Sequence, residues 1–420
     1  MTTSRTHPGT EAEPDVLMQL LMPEGRDDPY PIYARLRHES PLYASQFGAY
    51  LISRHEDVDR VLKRADLFPG VDPEMMDQMF PQAVEHEAFE VLVTALVGSN
   101  PPKHTRLRGL IGNGFTARRL AGLRHGLEHR TEQVLADVAE RLRSGETVDL
   151  HESISMPIPM HMISDLIGIP EADRRRLAQG VPEMMNVVDP AATPEAVQRA
   201  DEAFRALGEY LDGLIARRRS DPRDDLVSML VAARDEESGR VDDKELRNLL
   251  FTLWSAGFET TATAIDNAVL LLLADPSRSR WLENEQSTAS FVTETLRYEP
   301  SVHVAPGIRF AAQDVELSGG TVPAGAQVRL LIGSANRDGE VFENGDTFDP
   351  GRPTVASARP LSFGAGIHYC LGAGLSMVEM GVLLPRLHHL FPSLVLAGPP
   401  VRRRSIPLRD FAAIPVRLAD

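Results

Sequence analysis

The sequence predicts a mainly α-helical protein with small β-sheets. Three observations support this class: long stretches carry apolar residues at helical spacing, strand-like runs are few and short, and turn residues separate those runs. The chain has 420 residues, 42% of them apolar, which is enough for a large buried core. We expect residues 1–14, which are mostly polar, to form a disordered tail and residues 15–420 to form a single folded domain.

Three helices are indicated by apolar periodicity and by residues that favour helix ends. Gly145 lies just beyond the first, Pro194 occupies the first turn of the second, and Asp242 can cap the third. Pro276 follows the end of the third helix, which is the longest. The predicted helices span Arg124–Leu142, Thr193–Arg219 and Val241–Ala274.

The strand signals are short apolar runs, most of them in one part of the chain. Gly319-Gly320 and the Pro323–Gly325 segment supply turn residues between them. No glycine-rich phosphate loop follows a strand, so the sequence gives no support for nucleotide binding. The predicted strands span Tyr50–Ser53, Gly307–Phe310, Val315–Leu317 and Val328–Ile332.

Charge and cysteine content exclude several functional classes. The formal net charge of −16 argues against unspecific binding to nucleic acid or to an anionic membrane. No apolar run reaches the roughly 18 residues that a membrane helix needs, and the N-terminus lacks the apolar core of a secretory signal. Cys370 is the only cysteine, so no disulfide can form within the chain. We therefore expect a cytoplasmic protein that binds neither nucleic acid nor membrane.

One segment departs from this acidic character. Between Pro101 and Leu127 the chain carries no acidic residue, and its basic residues are Lys103, Arg106, Arg108, Arg118, Arg119 and Arg124. Such a run is either a solvated helix face or a surface that attracts an acidic partner. The sequence leaves both interpretations open.

The segment around Cys370 carries the most specific local pattern. Gly364, Gly366 and Gly372 surround the cysteine, and an apolar helical stretch follows. The first turn of a helix offers free N–H groups and a positive dipole end, which favour a thiolate, and a thiolate is a soft ligand for iron. Two alternatives are a small buried apolar side chain, the usual role of a free cysteine, and a nucleophile with His368 as its base. The tight loop places His368 poorly for that second role.

A second pattern lies in the middle of the longest helix. Glu259, Thr260 and Thr261 are costly in an apolar helix unless they are hydrogen-bonded or useful, and Gly257 weakens the helix by about 1 kcal/mol. The hydroxyl of Thr260 can bond the carbonyl of Ala256 four residues back. The alternative is a solvated glutamate beside a threonine that bonds its own helix.

Two further spacings suggest charged pairs. Glu294 and Arg297 are three residues apart on a predicted helix, so their side chains share a face. His104 and Arg108 are four apart and can also point the same way. Arginine pairs with carboxylates better than lysine does, so the second pair fits an anionic group.

In their order along the chain, these motifs resemble those of the cytochrome P450 family, from about Asp28 to about Leu390. The segment Phe363-Gly-x-Gly-x-His-x-Cys370-x-Gly resembles the family's cysteine-ligand loop. The resemblance implies a cytochrome P450 fold, an α-rich bundle around haem b (iron protoporphyrin IX) plus a small β-rich region, as one catalytic domain. The haem-binding residues that it implies are His104, Arg108, Ala256, Arg309, Phe363, Gly364, His368, Cys370 and Gly372. Ser376 and Lys103 depart from the family's usual alanine and acid.

The resemblance also implies roles for the remaining motifs. Cys370 would be the axial iron ligand, and Glu259 and Thr260 would be the catalytic acid–alcohol pair that relays protons to bound oxygen. Glu294 and Arg297 would form a structural triad with Arg352. The implied function is that of a haem-thiolate monooxygenase that hydroxylates or epoxidises a bulky lipophilic molecule.

Substrate and electron source are less directly indicated. A polyketide or macrolide of secondary metabolism fits the methionine-rich segment between Phe68 and Val97, with a terpenoid or fatty acid as competitors. We expect Pro182–Val188, Val302–Ala305 and Ile406 to line the same site. No flavin or nicotinamide module is visible, so we expect a monomer reduced by a separate ferredoxin and ferredoxin reductase, with docking on the basic stretch that begins at Lys103. The alternatives are a peroxide-using haem-thiolate enzyme, a non-catalytic haem sensor and a cysteine hydrolase.

Overall fold

The computed structural model describes residues 13–71, 86, 88, 91, 95–184, 193–236, 241–353 and 358–419. Helices dominate this part of the chain, as predicted. The α-helices are α1 (Val16–Leu21), α2 (Pro23–Asp27), α3 (Tyr30–Glu39), α4 (His55–Lys63), α5 (Lys103–Gly112), α6 (Ala117–Arg143), α7 (Pro157–Ile167), α8 (Glu171–Ala178), α9 (Val181–Met184), α10 (Pro194–Ser220), α11 (Leu226–Glu236), α12 (Asp243–Ala274), α13 (Glu285–Tyr298), α14 (Ile332–Ala335) and α15 (Ala373–Leu390).

Shorter helical turns and strands connect these helices. Turns of 3-10 helix span Asn113–Phe115, Pro276–Leu282 and Gly366–His368, and a π-helical turn spans His151–Ser155. The strands are β1 (Leu42–Ala44), β2 (Ala49–Ile52), β3 (Val148–Asp149), β4 (Arg309–Phe310), β5 (Val315–Leu317), β6 (Gly320–Val322), β7 (Gln327–Leu330), β8 (Leu394–Leu396), β9 (Val401–Arg402), β10 (Phe411–Ala413) and β11 (Pro415–Leu418).

The predicted helices agree with the observed ones, and their capping residues explain why. Asp242 accepts a hydrogen bond from the backbone N–H of Glu245, whose side chain accepts from the N–H of Asp242, which completes a capping box for α12. Thr193 caps α10 through its hydroxyl alone, which accepts a hydrogen bond from the backbone N–H of Ala196. Helix α6 begins earlier than predicted because Thr116, not a residue near Arg124, caps it.

Helix α12 is the central element, and it packs against α7, α10, α13 and α15. Two apolar clusters meet along it. Trp254 and Phe258 in its first half belong to a cluster with α7, α10 and α11, whereas Ile265 and Val269 in its second half pack with α6, α13 and α15. The polar Glu259–Thr261 segment therefore lies where the two apolar clusters meet.

The sheets are small. The largest has the order β1-β2-β7-β4, with β2 and β7 parallel in the register Ala49↔Gln327 and the other pairs antiparallel. Strands β5 and β6 form a hairpin, β3, β11 and β8 a three-stranded sheet, and β9 and β10 a C-terminal hairpin. The four predicted strands are present, but β1, β3, β6 and the strands after residue 390 were not predicted. Within the described ranges, no helix combines the length and apolarity needed to span a membrane.

Candidate functional site

Cys370 lies at the end of a tight loop, directly before the turn that begins α15. Its backbone N–H donates to the carbonyl of Phe363 at 2.9 Å, which closes the loop. Gly364 and Gly366 have φ angles of 70° and 66°, and a Cβ on Gly366 would lie 2.5 Å from the carbonyl oxygen of Leu62 in α4. Glycine is therefore required where the loop approaches α4, and the cysteine side chain remains exposed.

Opposing effects act on the thiol of Cys370. The largest effect is desolvation by the surrounding protein atoms, which raises the pKa of the thiol even though Cys370 is an exposed residue. The backbone N–H groups of Gly372 and Ala373 and the charge of Arg108 lower the pKa. The helix N-terminus thus favours the thiolate as predicted, but the net shift is upward. A metal ion on the sulfur would supply the remaining stabilisation of the thiolate, so the residues fit an iron ligand.

Four side chains that can donate hydrogen bonds, two histidines and two arginines, lie close together beside this loop. The rings of His104 and His368 lie 4.3 Å apart, and Arg108 donates to the carbonyl of Tyr369 at 2.6 Å. Arg309 is 6% exposed, and its guanidinium donates to the carbonyl of Phe68 at 3.3 Å. Both ring nitrogens of His104 are buried and have no hydrogen-bond partner among the described residues.

The electrostatics of this donor cluster favour an anion. The pKa of His368 is lowered to about 3, mainly by burial and further by the charges of Arg309 and Arg108 and by the neighbouring His104. Burial also lowers the pKa of His104 and of Arg309. Buried positive charge and orphaned donors are costly unless an anion pairs with them, and the two carboxylates of haem would do so. The cluster therefore fits the group that the resemblance implies.

The middle of α12 provides a second part of the site. Ala256 is exposed and Thr260 is partly so, although the surrounding turns are buried. The hydroxyl of Thr260 donates to the carbonyl of Ala256 at 3.1 Å, as predicted, and Ser301 donates to the carbonyl of Thr260 at 2.6 Å. The turn after α13 therefore reaches Thr260, and the lining of the site by Val302–Ala305 stays a prediction.

Thr261, to which the sequence assigned no role, connects α12 to α15. Its hydroxyl donates to the hydroxyl of Ser376 at 3.1 Å, and both side chains are buried. Ser376 is the position where the family usually has alanine, so this interhelical bond is a feature of this chain. It holds the Thr260 turn at a fixed position relative to the helix that follows Cys370.

Glu259 is buried, which rejects the solvated alternative. Its side chain is 6% exposed, and its Oε2 atom finds no hydrogen-bond partner within the described part of the chain. Burial raises the pKa of Glu259, and the charge of Asp410 raises it further, while Arg403 and His151 lower it. Glu259 is thus a carboxyl group that holds a proton more readily than a solvated one.

The predicted triad is present and reaches the cysteine loop through a chain of hydrogen bonds. Arg297 contacts both carboxylate oxygens of Glu294 at 2.7 Å, and Arg352 lies 3.6 Å from Glu294. Arg297 also donates to the carbonyl of Asn336, whose side chain donates to Ser362 and accepts from the N–H of Leu361. Since Phe363 follows at once, the triad anchors the start of the loop that holds Cys370.

The basic segment is largely balanced by acids elsewhere in the chain. Lys103 and Arg106 pair with Glu245, Arg119 with Asp224, and Arg124 with Glu128 and Glu285. Arg118 is exposed and has no ion pair with any described residue. A docking surface built on the whole segment is therefore weaker than the count of basic residues indicated.

Some expected lining residues fall outside the described ranges. Met75, Met76, Met79, Phe80 and Phe89 and the end of Pro182–Val188 are among them. Phe68 is fully buried in the cluster around β7, and Ile406 packs with α1, α3 and Val304. The contact of the Phe363 ring with the cysteine sulfur stays a prediction.

Comparison with known proteins agrees with this geometry. Residues 51–400 match the family model described as cytochrome P450. Cytochrome P450 BJ-3 of Bradyrhizobium diazoefficiens is 37% identical over 97% of this chain and 97% of its own length. The 6-deoxyerythronolide B hydroxylase of Saccharopolyspora erythraea is 33% identical over 93% of this chain and 96% of its own. The crystal structure of a myxobacterial cytochrome P450, CYP267B1, with myristic acid has a TM-score of 0.85 at 30% identity and covers 96% of this chain and 99% of that one.

Proposed function

The chain belongs to the cytochrome P450 family and is a monooxygenase with a haem-iron cofactor, and from this premise we propose that it binds haem b through Cys370 and oxidises a bulky lipophilic molecule with dioxygen. The product is an alcohol or an epoxide. The cysteine, the donor cluster and the middle of α12 support this proposal together.

One observation carries the choice of dioxygen as the oxidant. Glu259 is buried beside Thr260, its Oε2 is unpaired among the described residues, and its pKa is raised. Use of dioxygen consumes protons at the reacting site, whereas peroxide already carries them. A buried proton-holding acid next to a hydroxyl is therefore expected for dioxygen activation and unnecessary for a peroxide-using enzyme or a haem sensor.

Each part of the site then has a role. Haem, when bound, supplies oxygen activation, and a thiolate ligand favours cleavage of the O–O bond. Cys370 would be the ligand of its iron, and His104, Arg108, Arg309 and His368 would hold its two carboxylates. Ala256 leaves space at the α12 turn. Glu259 passes a proton to Thr260 Oγ1, which presents it to the reacting site.

The substrate class is inferred from relatives and from the site. The 6-deoxyerythronolide B hydroxylase carries a polyketide lactone in its name, and the CYP267B1 structure holds a fatty acid. We propose a polyketide or macrolide as substrate. We also propose that the protein is a cytoplasmic monomer that receives electrons from a ferredoxin and its reductase. Arg118, which has no ion pair with any described residue, would lie at the docking face.

The absorption spectrum of the reduced protein under carbon monoxide tests the central claim. We expect the strongly red-shifted Soret band of thiolate-bound haem in the natural protein and in Ser376→Ala, and its loss in Cys370→Ala. Haem uptake without that band would refute thiolate ligation. A panel of macrolides, fatty acids and terpenoids then tests the substrate class: spin-state shifts with fatty acids alone would contradict the macrolide assignment.

A further inference from the structure

The turn of α12 that carries Thr260 is held by a side chain from outside the helix. The hydroxyl of Ser301, in the segment that follows α13, donates to the carbonyl of Thr260 at 2.6 Å. Ser301 is only 6% exposed, so water competes little for this hydrogen bond. A contact from another part of the chain therefore reaches the backbone of the residue that presents the proton in the proposed function.

This bond acts on a carbonyl group that belongs to the helix backbone. In a regular helix the carbonyl of Thr260 accepts only from the N–H of Ala264, and an additional side-chain donor tilts such a carbonyl outward and loosens the turn. The hydroxyl of Thr260 bonds the carbonyl of Ala256 one turn earlier in a similar way. Because threonine has few side-chain rotamers, the orientation of its backbone determines where its Oγ1 atom lies. The bond from Ser301 thus helps to set the position of Thr260 Oγ1.

The backbone of Ser301 is anchored independently of its hydroxyl. Its carbonyl accepts a hydrogen bond from the backbone N–H of Arg409 at 2.9 Å, and Val302 next to it forms an antiparallel bridge with Leu408. These contacts use main-chain atoms only, so they do not require a particular side chain at position 301. Removal of the hydroxyl is therefore expected to leave the segment in place and to release the Thr260 carbonyl alone.

A second hydrogen bond between the same two segments provides a comparison. The side-chain amide of Asn267 donates to the carbonyl of Glu299 at 3.0 Å, and Asn267 is 1% exposed. Asn267 lies about two helical turns after Thr260, on the same face of α12. Both bonds attach the end of α13 and the segment after it to α12, but only the bond from Ser301 contacts the Thr260 turn.

On the proposed function above, we propose that Ser301 is a positioning residue for the use of dioxygen: its bond to the Thr260 carbonyl holds the Thr260 hydroxyl where its proton reaches the reacting oxygen. A buried serine needs an acceptor at any position. A bond made only for that reason would leave the fate of the electrons unchanged. Ser301 instead affects which product the electrons give, and not folding or substrate binding.

Two outcomes compete for the same electrons. In the productive one, dioxygen, two electrons and two protons convert a C–H bond of the substrate to an alcohol and form water. In the unproductive one, the same dioxygen, electrons and protons form hydrogen peroxide and leave the substrate unchanged. The electrons come from the proposed ferredoxin and the protons from solvent. A displaced Thr260 Oγ1 delivers its proton less directly to the oxygen atom that must leave as water, so peroxide increases.

The first test measures product and peroxide per electron in Ser301→Ala, Ser301→Thr and Asn267→Ala. The probe is the compound of the macrolide, fatty-acid and terpenoid panel that the natural enzyme oxidises fastest, with NADPH, ferredoxin and its reductase as electron source. We expect Ser301→Ala to lower the product yield per electron roughly threefold, with a matching gain of peroxide, because a small displacement of a reacting group costs at least that much. The spin-state titration with the same compound should stay unchanged.

The other two variants separate positioning from attachment. Ser301→Thr keeps the hydroxyl in an extended segment that accepts a β-branched residue, so it should restore most of the yield. Asn267→Ala removes the other bond between the two segments and should give the yield of the natural enzyme. An unchanged yield in Ser301→Ala, or an equal loss in Asn267→Ala, would overturn the proposal.

The double variant tests whether Ser301 acts through Thr260. If it does, Ser301→Ala has nothing left to displace once the Thr260 hydroxyl is removed. The product yield of Thr260→Ala with Ser301→Ala should therefore equal that of Thr260→Ala alone, whereas independent effects would multiply. A further loss in the double variant would contradict the positioning role.

A further measurement needs neither substrate nor turnover. In holoenzyme whose threonine carbonyls carry a heavy carbon isotope, loss of a hydrogen bond shifts the infrared band of one carbonyl to higher frequency. We expect one such shift in Ser301→Ala and none in Asn267→Ala, whose bond is made to a glutamate carbonyl. Ser301→Cys, with a weaker donor, should give a smaller shift and keeps the test available if the alanine variant fails to fold. No shift in either Ser301 variant would refute the bond.

Two results separate the possible failures. A lowered product yield in Thr260→Ala, with none in Ser301→Ala, would overturn the role of Ser301 alone. Absence of the red-shifted carbon monoxide band in the natural protein, or full coupling in Thr260→Ala, would instead overturn the proposed function. All variants are compared at equal haem content.

Discussion

Two glutamates with little solvent exposure are affected in opposite ways by charged residues in and beside the C-terminal hairpin. Glu299, at the end of α13, is surrounded by arginines: Arg409 lies 2.6 Å away and Arg402 3.5 Å away. Glu259, in the middle of α12, makes no ion pair with any described residue; the charge of Asp410 raises its pKa, and the charges of Arg403 and His151 lower it. Arg402 lies 3.5 Å from Glu299, whereas the next residue, Arg403, lies 3.5 Å from Asp410.

The difference in pKa follows from this pairing. Burial alone would raise the pKa of Glu299, but the charges of Arg409, His303, Arg402 and Arg337 lower it to about 2. For Glu259, burial and Asp410 both raise the pKa. Low solvent exposure thus accompanies an anion where arginines surround the carboxylate, and a raised pKa where the charge of another acid acts on the carboxyl group. The first arrangement is suited to stability and the second to catalysis.

The largest effect that this comparison predicts is on stability. Glu299→Gln should lower the free energy of unfolding by about 3–5 kcal/mol, because it leaves buried arginines without a carboxylate. Glu259→Gln should cost less than about 1 kcal/mol, since a neutral amide of the same shape replaces a carboxyl group whose raised pKa favours the neutral form. Urea denaturation of the two holoenzymes measures both. Equal losses would contradict the proposed difference in charge.

A change at Glu259 should instead affect turnover. We expect Glu259→Gln to lower the rate roughly a hundredfold, and Thr260→Ala to divert electrons from product to peroxide, because each removes a proton donor near the reacting site. The carbon monoxide spectrum of both should stay that of the natural protein. Product and peroxide are measured against electrons consumed, and full coupling in Thr260→Ala would contradict its role.

The two glutamates should also give opposite dependences of stability on pH. Glu299, with its pKa lowered to about 2, contributes stability above its unfolded pKa, and this contribution is lost as pH falls toward about 2. Glu259 and Asp410, with raised pKa, contribute stability that is lost as pH rises through their folded pKa. Unfolding curves of the holoenzyme across pH measure both slopes. Glu259→Gln should flatten the decline on the alkaline side and leave the acid side unchanged.

The smallest predicted effect concerns surface arginines and compares one that has an acidic partner with one that has none among the described residues. Arg118→Glu should slow ferredoxin association several-fold at low salt and little at high salt, because its charge has no described partner. Arg141→Glu, which changes an exposed arginine paired with Glu146, is the control for net charge. Equal slowing by both variants would indicate a general charge effect rather than docking at Arg118.

The sequence predicts well those features that are encoded locally. Asp242 and Ala274 bound α12 as expected, since the capping box and the following proline act within a few residues. Glycines on either side of Cys370 mark its loop for the same reason. Thr260 and Ala256 are four residues apart, so their hydrogen bond is also a local consequence of the helix.

Features that depend on distant residues were missed. The charges of Asp410 and His151 act on Glu259 from parts of the chain far from it, and neither residue carries a local signal of that interaction. The basic segment was overestimated because Glu245 and Glu285, its partners, lie on other helices. The two-residue strand β9 has too few residues for a recognisable alternation, although its hairpin determines the charge around both glutamates.

Because the chain has one sulfhydryl group, the fraction of molecules that carry the cofactor can be measured by thiol labelling. Cys370 is the only cysteine of the chain and is exposed, so a maleimide dye can label each molecule at one sulfur atom only. An iron-bound sulfur would not react. The fraction of dye incorporated thus equals the fraction of apoprotein, and a preparation can be quantified for occupancy without a spectrum.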